Sequence, residues 1–255
     1  MLVPRPRLIL FAGALVALGA AVPAVVAGTS ATAATPTLDH FQCYVAQATQ
    51  TAAAPTPFPG TPPAALLKNK FAPSGLVAAI GNVSMHCNPV QKTLPTGAVT
   101  PITNPRAHLV CWSIKGNPQT PLPPLTTFVN QFGKGALKAT AAVGLCLPSW
   151  KNVSAPKFPT STAPPGLDHF TCYAATNPAG TPQFTPPPVV TLKDQFFGYQ
   201  TKLGPVNLMC APTSKILNPA AGGTPVVNPQ HYLVCFVTPA TSAFAARTVY
   251  AKNQF

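Results

Sequence analysis

A cysteine followed by an aromatic residue recurs four times along this chain, and the segments around it recur with it. Leu38-Asp39-His40-Phe41-Gln42-Cys43-Tyr44 returns as Leu167-Asp168-His169-Phe170-Thr171-Cys172-Tyr173. His108-Leu109-Val110-Cys111-Trp112 and Tyr232-Leu233-Val234-Cys235-Phe236 are shorter versions of the same phrase. Each is trailed by a second motif: Asn69-Lys70-Phe71, Asn130-Gln131-Phe132, Asp194-Gln195-Phe196 and Asn253-Gln254-Phe255. A third motif, Cys-x-Pro-x-x-Lys, follows three of these, as Cys87 with Lys92, Cys146 with Lys151 and Cys210 with Lys215. A chain built this way must fold so that equivalent units make equivalent contacts.

The connectors repeat as well. Pro101-Ile102-Thr103-Asn104-Pro105 is matched by Pro225-Val226-Val227-Asn228-Pro229, so the larger duplicated module is a pair of units. Module one is expected over residues 38–152 and module two over 167–255, with a Pro-, Ser- and Thr-rich linker at 153–166. The closing Cys-x-Pro segment of the fourth unit is missing, so that unit is expected to be truncated and poorly ordered.

Residues 1–33 read as an export signal: Arg5 and Arg7 precede an apolar run over Leu8 to Val22, and Ala31-Thr32-Ala33 fits a small-residue cleavage site. That run is shorter than the roughly 20 residues that span a bilayer, so no stable membrane insertion is expected after cleavage. Export makes disulfides the default state of recurring cysteines. Two frames fit the spacing. In one, each unit closes on itself as Cys43–Cys87, Cys111–Cys146 and Cys172–Cys210, leaving Cys235 unpaired. In the other, Cys87–Cys111, Cys146–Cys172 and Cys210–Cys235 pair and Cys43 is left over. Connectivity is not readable from sequence. The first frame is preferred, because a single missing segment explains both the odd cysteine and the abrupt end.

The 34 prolines leave little room for uninterrupted helices. Phe41 to Val45, Leu109 to Ile114, Leu125 to Phe132, Ala136 to Leu147 and Tyr232 to Val237 have strand-like length and patterning. Ala46 to Ala65 and Asn177 to Pro188 read as loops. The expected fold is all-β: tandem duplicated, disulfide-stapled β-sandwich or barrel-like modules. A single unit is too small to bury a core without such staples.

Charge restricts the chemistry. Sixteen Lys and Arg face only Asp39, Asp168 and Asp194, and glutamate is absent, which argues against enzymes built on paired carboxylates. Histidines near cysteines invite a zinc reading, but no Cys-x-x-Cys pair occurs, so neither metal nor cofactor is expected. Lys92, Lys151 and Lys215 are candidate anion-binding residues: regularly stacked units would set them in a basic surface row facing anionic cell-envelope polymer or glycan. With no Arg cluster, nucleic acid is not an expected partner. The sequence thus points to a secreted or wall-associated, non-enzymatic binding or structural protein. The alternative is a small secreted enzyme using a free Cys235 thiol, with His231 nearby, or a His/Cys metal site.

The motif set Asp-His-Phe-x-Cys-Tyr, Asp-Gln-Phe and Leu-Cys-x-Pro-x-x-Lys resembles a family of uncharacterised Cys-containing repeat domains of exported bacterial proteins. The likeness extends over nearly everything from Leu38 onward. It implies export and repetition and brings no activity with it. His86 and Met209 depart from the pattern by replacing the Leu before Cys87 and Cys210, and the fourth unit lacks its closing motif.

Overall fold

The computed structural model describes residues 7–13, 38–49, 64–116, 122, 125–153, 159, 166–181, 189–217, 222–239 and 244–254. The expected cleavage site and nearly all of the linker lie outside them, as does most of each Pro-rich loop. The fold is all-β, with no helix among the described residues. Unit one contains β2 (Phe41–Val45), β3 (Ala64–Lys68), β4 (Leu76–Pro89), β5 (Gln91–Thr93) and β6 (Val99–Thr100). Unit two contains β7 (His108–Gly116), β8 (Thr126–Asn130) and β9 (Gly133–Asn152). Unit three contains β10 (His169–Thr176), β11 (Val190–Lys193), β12 (Gly198–Thr201) and β13 (Val206–Ile216), and unit four β14 (Tyr232–Thr238) and β15 (Tyr250–Lys252). Ahead of them all lies β1 (Arg7–Gly13).

Within a unit the two cysteine strands run antiparallel, with the cysteines directly opposite: Cys43 faces Cys87, Cys111 faces Cys146 and Cys172 faces Cys210. These three pairs are the disulfides, so each of the first three units closes on itself and Cys235 carries a free thiol. Between units, each closing cysteine faces the residue two before the next opening one: Cys87 opposite Leu109, Cys146 opposite Phe170, Cys210 opposite Leu233. The seven cysteines and Phe41, Leu109, Phe170 and Leu233 are fully buried in one cluster. Strand alternation sends the aromatics that follow the cysteines to the other face. There Tyr173 and Phe236 join a second core and Trp112 a third.

The proline of Cys-x-Pro is the point at which each closing strand leaves its own hairpin. Pro89, Pro148 and Pro212 face Phe41, Leu109 and Phe170, and within a few residues the chain has a new partner from the unit two further on. Lys92 faces Leu192, Lys151 faces Ala251 and Lys215 faces Leu67, each partner lying four residues before the phenylalanine of an Asn/Asp-x-Phe motif. The two modules are therefore interlocked: β3 joins β13, β5 joins β11, and β9 pairs with β10 across the linker. In each described Asn/Asp-x-Phe turn the first side chain accepts the phenylalanine N–H, at 2.8 Å for Asn69, 2.8 Å for Asn130 and 2.7 Å for Asp194. This local cap is why the motif needs Asn or Asp there. The connectors are held similarly: Asp39 accepts the N–H groups of Thr103 and Asn104, and Asp168 those of Val227 and Asn228.

One expectation changes. Unit four is not loose at its cysteine, since β14 lies inside the sheet with Leu233, Cys235 and Phe236 fully buried. The second strand that orders it is β1, from the stretch read as an export signal. Leu10 faces Cys235 on one side and Phe41 on the other, which is the register a fourth closing cysteine would occupy. An apolar segment in extended form can fill such a slot because the ladder is made by backbone groups. Extension of the pairings through β1 returns from β14 to β2, so the run of strands around the cysteines comes back on itself.

Deleting residues 1–33 should bare the edges of β14 and β2. We expect faster amide exchange in Tyr232–Thr238 and Phe41–Val45 relative to the full chain, measured by hydrogen–deuterium exchange, with Leu109–Ile114 unchanged. Equal protection of all three segments in both chains would show that β1 does not complete the sheet.

Candidate functional site

The three lysines of Cys-x-Pro-x-x-Lys do not form a surface row. Lys92 and Lys215 are buried, at 0% and 3% exposure, and Lys151 is only partly open. The reason is topological: past the proline, each lysine lies on a strand covered by another unit. In the first two copies the amine lies near the histidine of its own unit and over the phenylalanine of the next unit's Gln-Phe. Lys92 Nζ lies 3.3 Å from His40 Nε2 and 5.0 Å from the Phe132 ring centroid, and Gln131 Nε2 is 3.4 Å from the same histidine nitrogen. Lys151 Nζ sits 4.4 Å from the Phe196 ring centroid. In the third copy His169 Nε2 is 3.1 Å from Gln254 Oε1, and Lys215 is close enough to disfavour its protonation.

Burial dominates the electrostatics. Desolvation lowers the pKa of Lys92 and Lys151 to about 7 and that of Lys215 to about 8. The histidines are driven the same way, first by burial and then by the neighbouring lysine charge. His40 and His86 fall to about 3, His108 to about 2 and His169 to about 4, so all four are neutral imidazoles at physiological pH.

The Lys151 copy is chemically richer than the others. Asp194, in the turn after β11, accepts the Tyr44 hydroxyl at 2.8 Å and Asn88 Nδ2 at 2.8 Å through Oδ2, while its Oδ1 caps Phe196 and Phe197. Asn88 Oδ1 takes hydrogen bonds from Lys151 Nζ and, at 3.3 Å, from Gln195 Nε2, and lies 3.0 Å from His86 Nε2. His108 stacks on His86 with centroids 5.9 Å apart. Tyr44 meets Phe196 edge-on and stacks on Phe244. Asn88 is fully buried, and His86, His108, Tyr44 and Asp194 nearly so.

Of the cysteines, the six in disulfides line the interior, and Cys235 is buried 3.8 Å from Cys210 Sγ. Burial raises its thiol pKa well above the usual value, opposite to what a nucleophilic thiol needs. Sequence reasoning noted His86 only as a motif departure and a histidine near a cysteine, and assigned no site role to Asn88, Asp194 or Tyr44. The signal was present: Asn88 stands where the other copies have Leu147 and Ala211, and Asp194 where they have Asn69, Asn130 and Asn253. The departures at 86, 88 and 194 converge on one point in space.

The fold and site define a class, an all-β protein stapled by three disulfides, of a kind stable in an oxidising, extracytoplasmic environment. No protein-family model, no curated protein sequence and no solved structure matches the chain.

The neutral buried histidines carry a pH signature. Their folded pKa values lie below the unfolded value near 6.5, so the unfolded chain takes up more protons as pH falls. We expect stability to be fully retained above pH 7 with respect to these groups and to fall steadily from about pH 6.5 towards 4. Urea midpoints at pH 7.5, 5.5 and 4 measure this, and a midpoint unchanged across the series would contradict it.

Proposed function

We propose that the protein is a secreted or wall-associated, non-enzymatic binding or structural module whose outer surface engages anionic cell-envelope polymers or glycans. Charge placement carries this reading. All three acidic side chains of the chain, Asp39, Asp168 and Asp194, are buried and spent on internal hydrogen bonds. The exposed side-chain charges are therefore cationic, among them Lys68, Lys70, Lys134, Lys138, Lys193 and Lys202. A surface with cations and no acidic side chains concentrates polyanions without needing a shaped pocket, and its attraction reaches about one Debye length, roughly 10 Å at 0.1 M salt. The buried lysines contribute to the units' crossings rather than to this surface, so the candidate ligand contacts move from Lys92, Lys151 and Lys215 to the exposed set.

Polyphosphate of defined length is a suitable probe, with binding followed by fluorescence anisotropy. Binding is expected at low ionic strength, weakening progressively with salt, and a Lys134→Glu/Lys138→Glu variant should bind several-fold more weakly at unchanged melting temperature. Absence of binding at low salt, or binding indifferent to salt, would overturn the proposal.

A further inference from the structure

We propose that Lys151 and Asn88 become joined by an intramolecular isopeptide bond, with Asp194 as the carboxylate that relays the proton. Three groups needed for such a condensation meet here and arise from three different units: an amine on β9, a carboxamide at the end of β4 and a carboxylate in the turn after β11. The amine is hydrogen-bonded to the amide oxygen, one bond from the carbon it would attack. Nδ2, the leaving nitrogen, is held by Asp194 Oδ2 at 2.8 Å. Gln195 Nε2 at 3.3 Å and His86 Nε2 at 3.0 Å are placed to stabilise negative charge on Oδ1 as the carbonyl is attacked. Neutral His86 donates from Nε2 when its proton sits there, and among the described residues its Nδ1 has no hydrogen-bond partner. Phe196 and Tyr44 wall the site in aromatic surface, which strengthens these interactions by excluding water.

The balance is simple. The unprotonated amine of Lys151 attacks Asn88 Cγ, an Nζ–Cγ bond forms and the Cγ–Nδ2 bond breaks. Asp194 accepts the proton that Nζ sheds and passes it to Nδ2, which leaves as ammonia. No oxidant or reductant is involved. Burial, by lowering the Lys151 pKa to about 7, keeps a substantial fraction of the amine in the nucleophilic form near neutral pH even though the Asp194 charge works against this.

The repeat contains its own controls. Lys215 has the same place in unit three, but the position equivalent to Asn88 in the preceding unit is Leu147, and the position equivalent to Asp194 is Asn253. Lys92 has Asn130 in place of the aspartate. Amine, carboxamide and carboxylate coincide only at the Lys151 copy, which is what a bond-forming site requires and what a merely space-filling one does not.

The test is mass spectrometry on the full chain expressed with its leader into an oxidising compartment, then reduced and alkylated. We expect an intact mass short by one ammonia and a branched tryptic peptide joining the Asn88 and Lys151 segments, with Lys92 unmodified at the cleaved end of the Asn88 arm and Lys215 in a linear peptide. Asp194→Asn should abolish the branch, and Asn88→Asp should lose water in place of ammonia. Asn88 and Lys151 in separate linear peptides at full mass would overturn the proposal. So would an ammonia loss that maps elsewhere or persists in Asn88→Asp.

Discussion

The fold hangs on one buried layer of sulfur. Each disulfide joins residues directly opposite in an antiparallel pair, and Cys146 Sγ of one bond lies 3.6 Å from Cys172 Sγ of the next. The loops closed span 44, 35 and 38 residues, for which the chain-entropy model gives about 4 kcal/mol each. Units of this size bury too little apolar surface to stand alone, so the staples hold the hairpins while the wider contacts form. Because the cysteines all point to one side, the residues following them face the other, and that alternation places every aromatic where a second layer can cover it.

The second layer comes from exchange between units. After the proline each strand turns to a unit two further on, so a polar lysine that would be solvated on an isolated unit is enclosed. Its burial is tolerated because the amine loses its charge readily, its stem and ammonium can pack on a phenylalanine ring, and a histidine or amide lies beside it. The acids are treated likewise: Asp39 and Asp168 are held by backbone N–H groups of a connector, and Asp194 by those of its own turn through one oxygen. The interior collects the polar chemistry and leaves an outer surface of uncompensated cations.

The copies are not equivalent, and the difference is local. Substituting Asp for Asn at position 194 preserves the turn cap through one oxygen and frees the other to hold Asn88 and Tyr44. One chain position thereby serves both a folding role common to the repeat and a chemical role confined to one copy. The repeat-equivalent site built on Asn69, with Tyr173 and Thr213, has the cap and the tyrosine contact without a carboxylate.

Periodicity and motif spacing determined by themselves that the chain is all-β, that strands lie around Cys43, Cys111, Cys146 and Cys235, and which two disulfide frames were open. The strand expected at Phe41 to Val45 is β2 to the residue, and those at Leu109 and Tyr232 lie within β7 and β14. These features are legible because alternation and turn caps are local. Tertiary structure alone decided which unit pairs with which, that the lysines face inward, that Arg7–Gly13 occupies the fourth closing position, and that Asn88, Lys151 and Asp194 meet. A strand's hydrophobic pattern specifies its buried face but not the partner that covers it, and backbone hydrogen bonds are the same whichever segment supplies them.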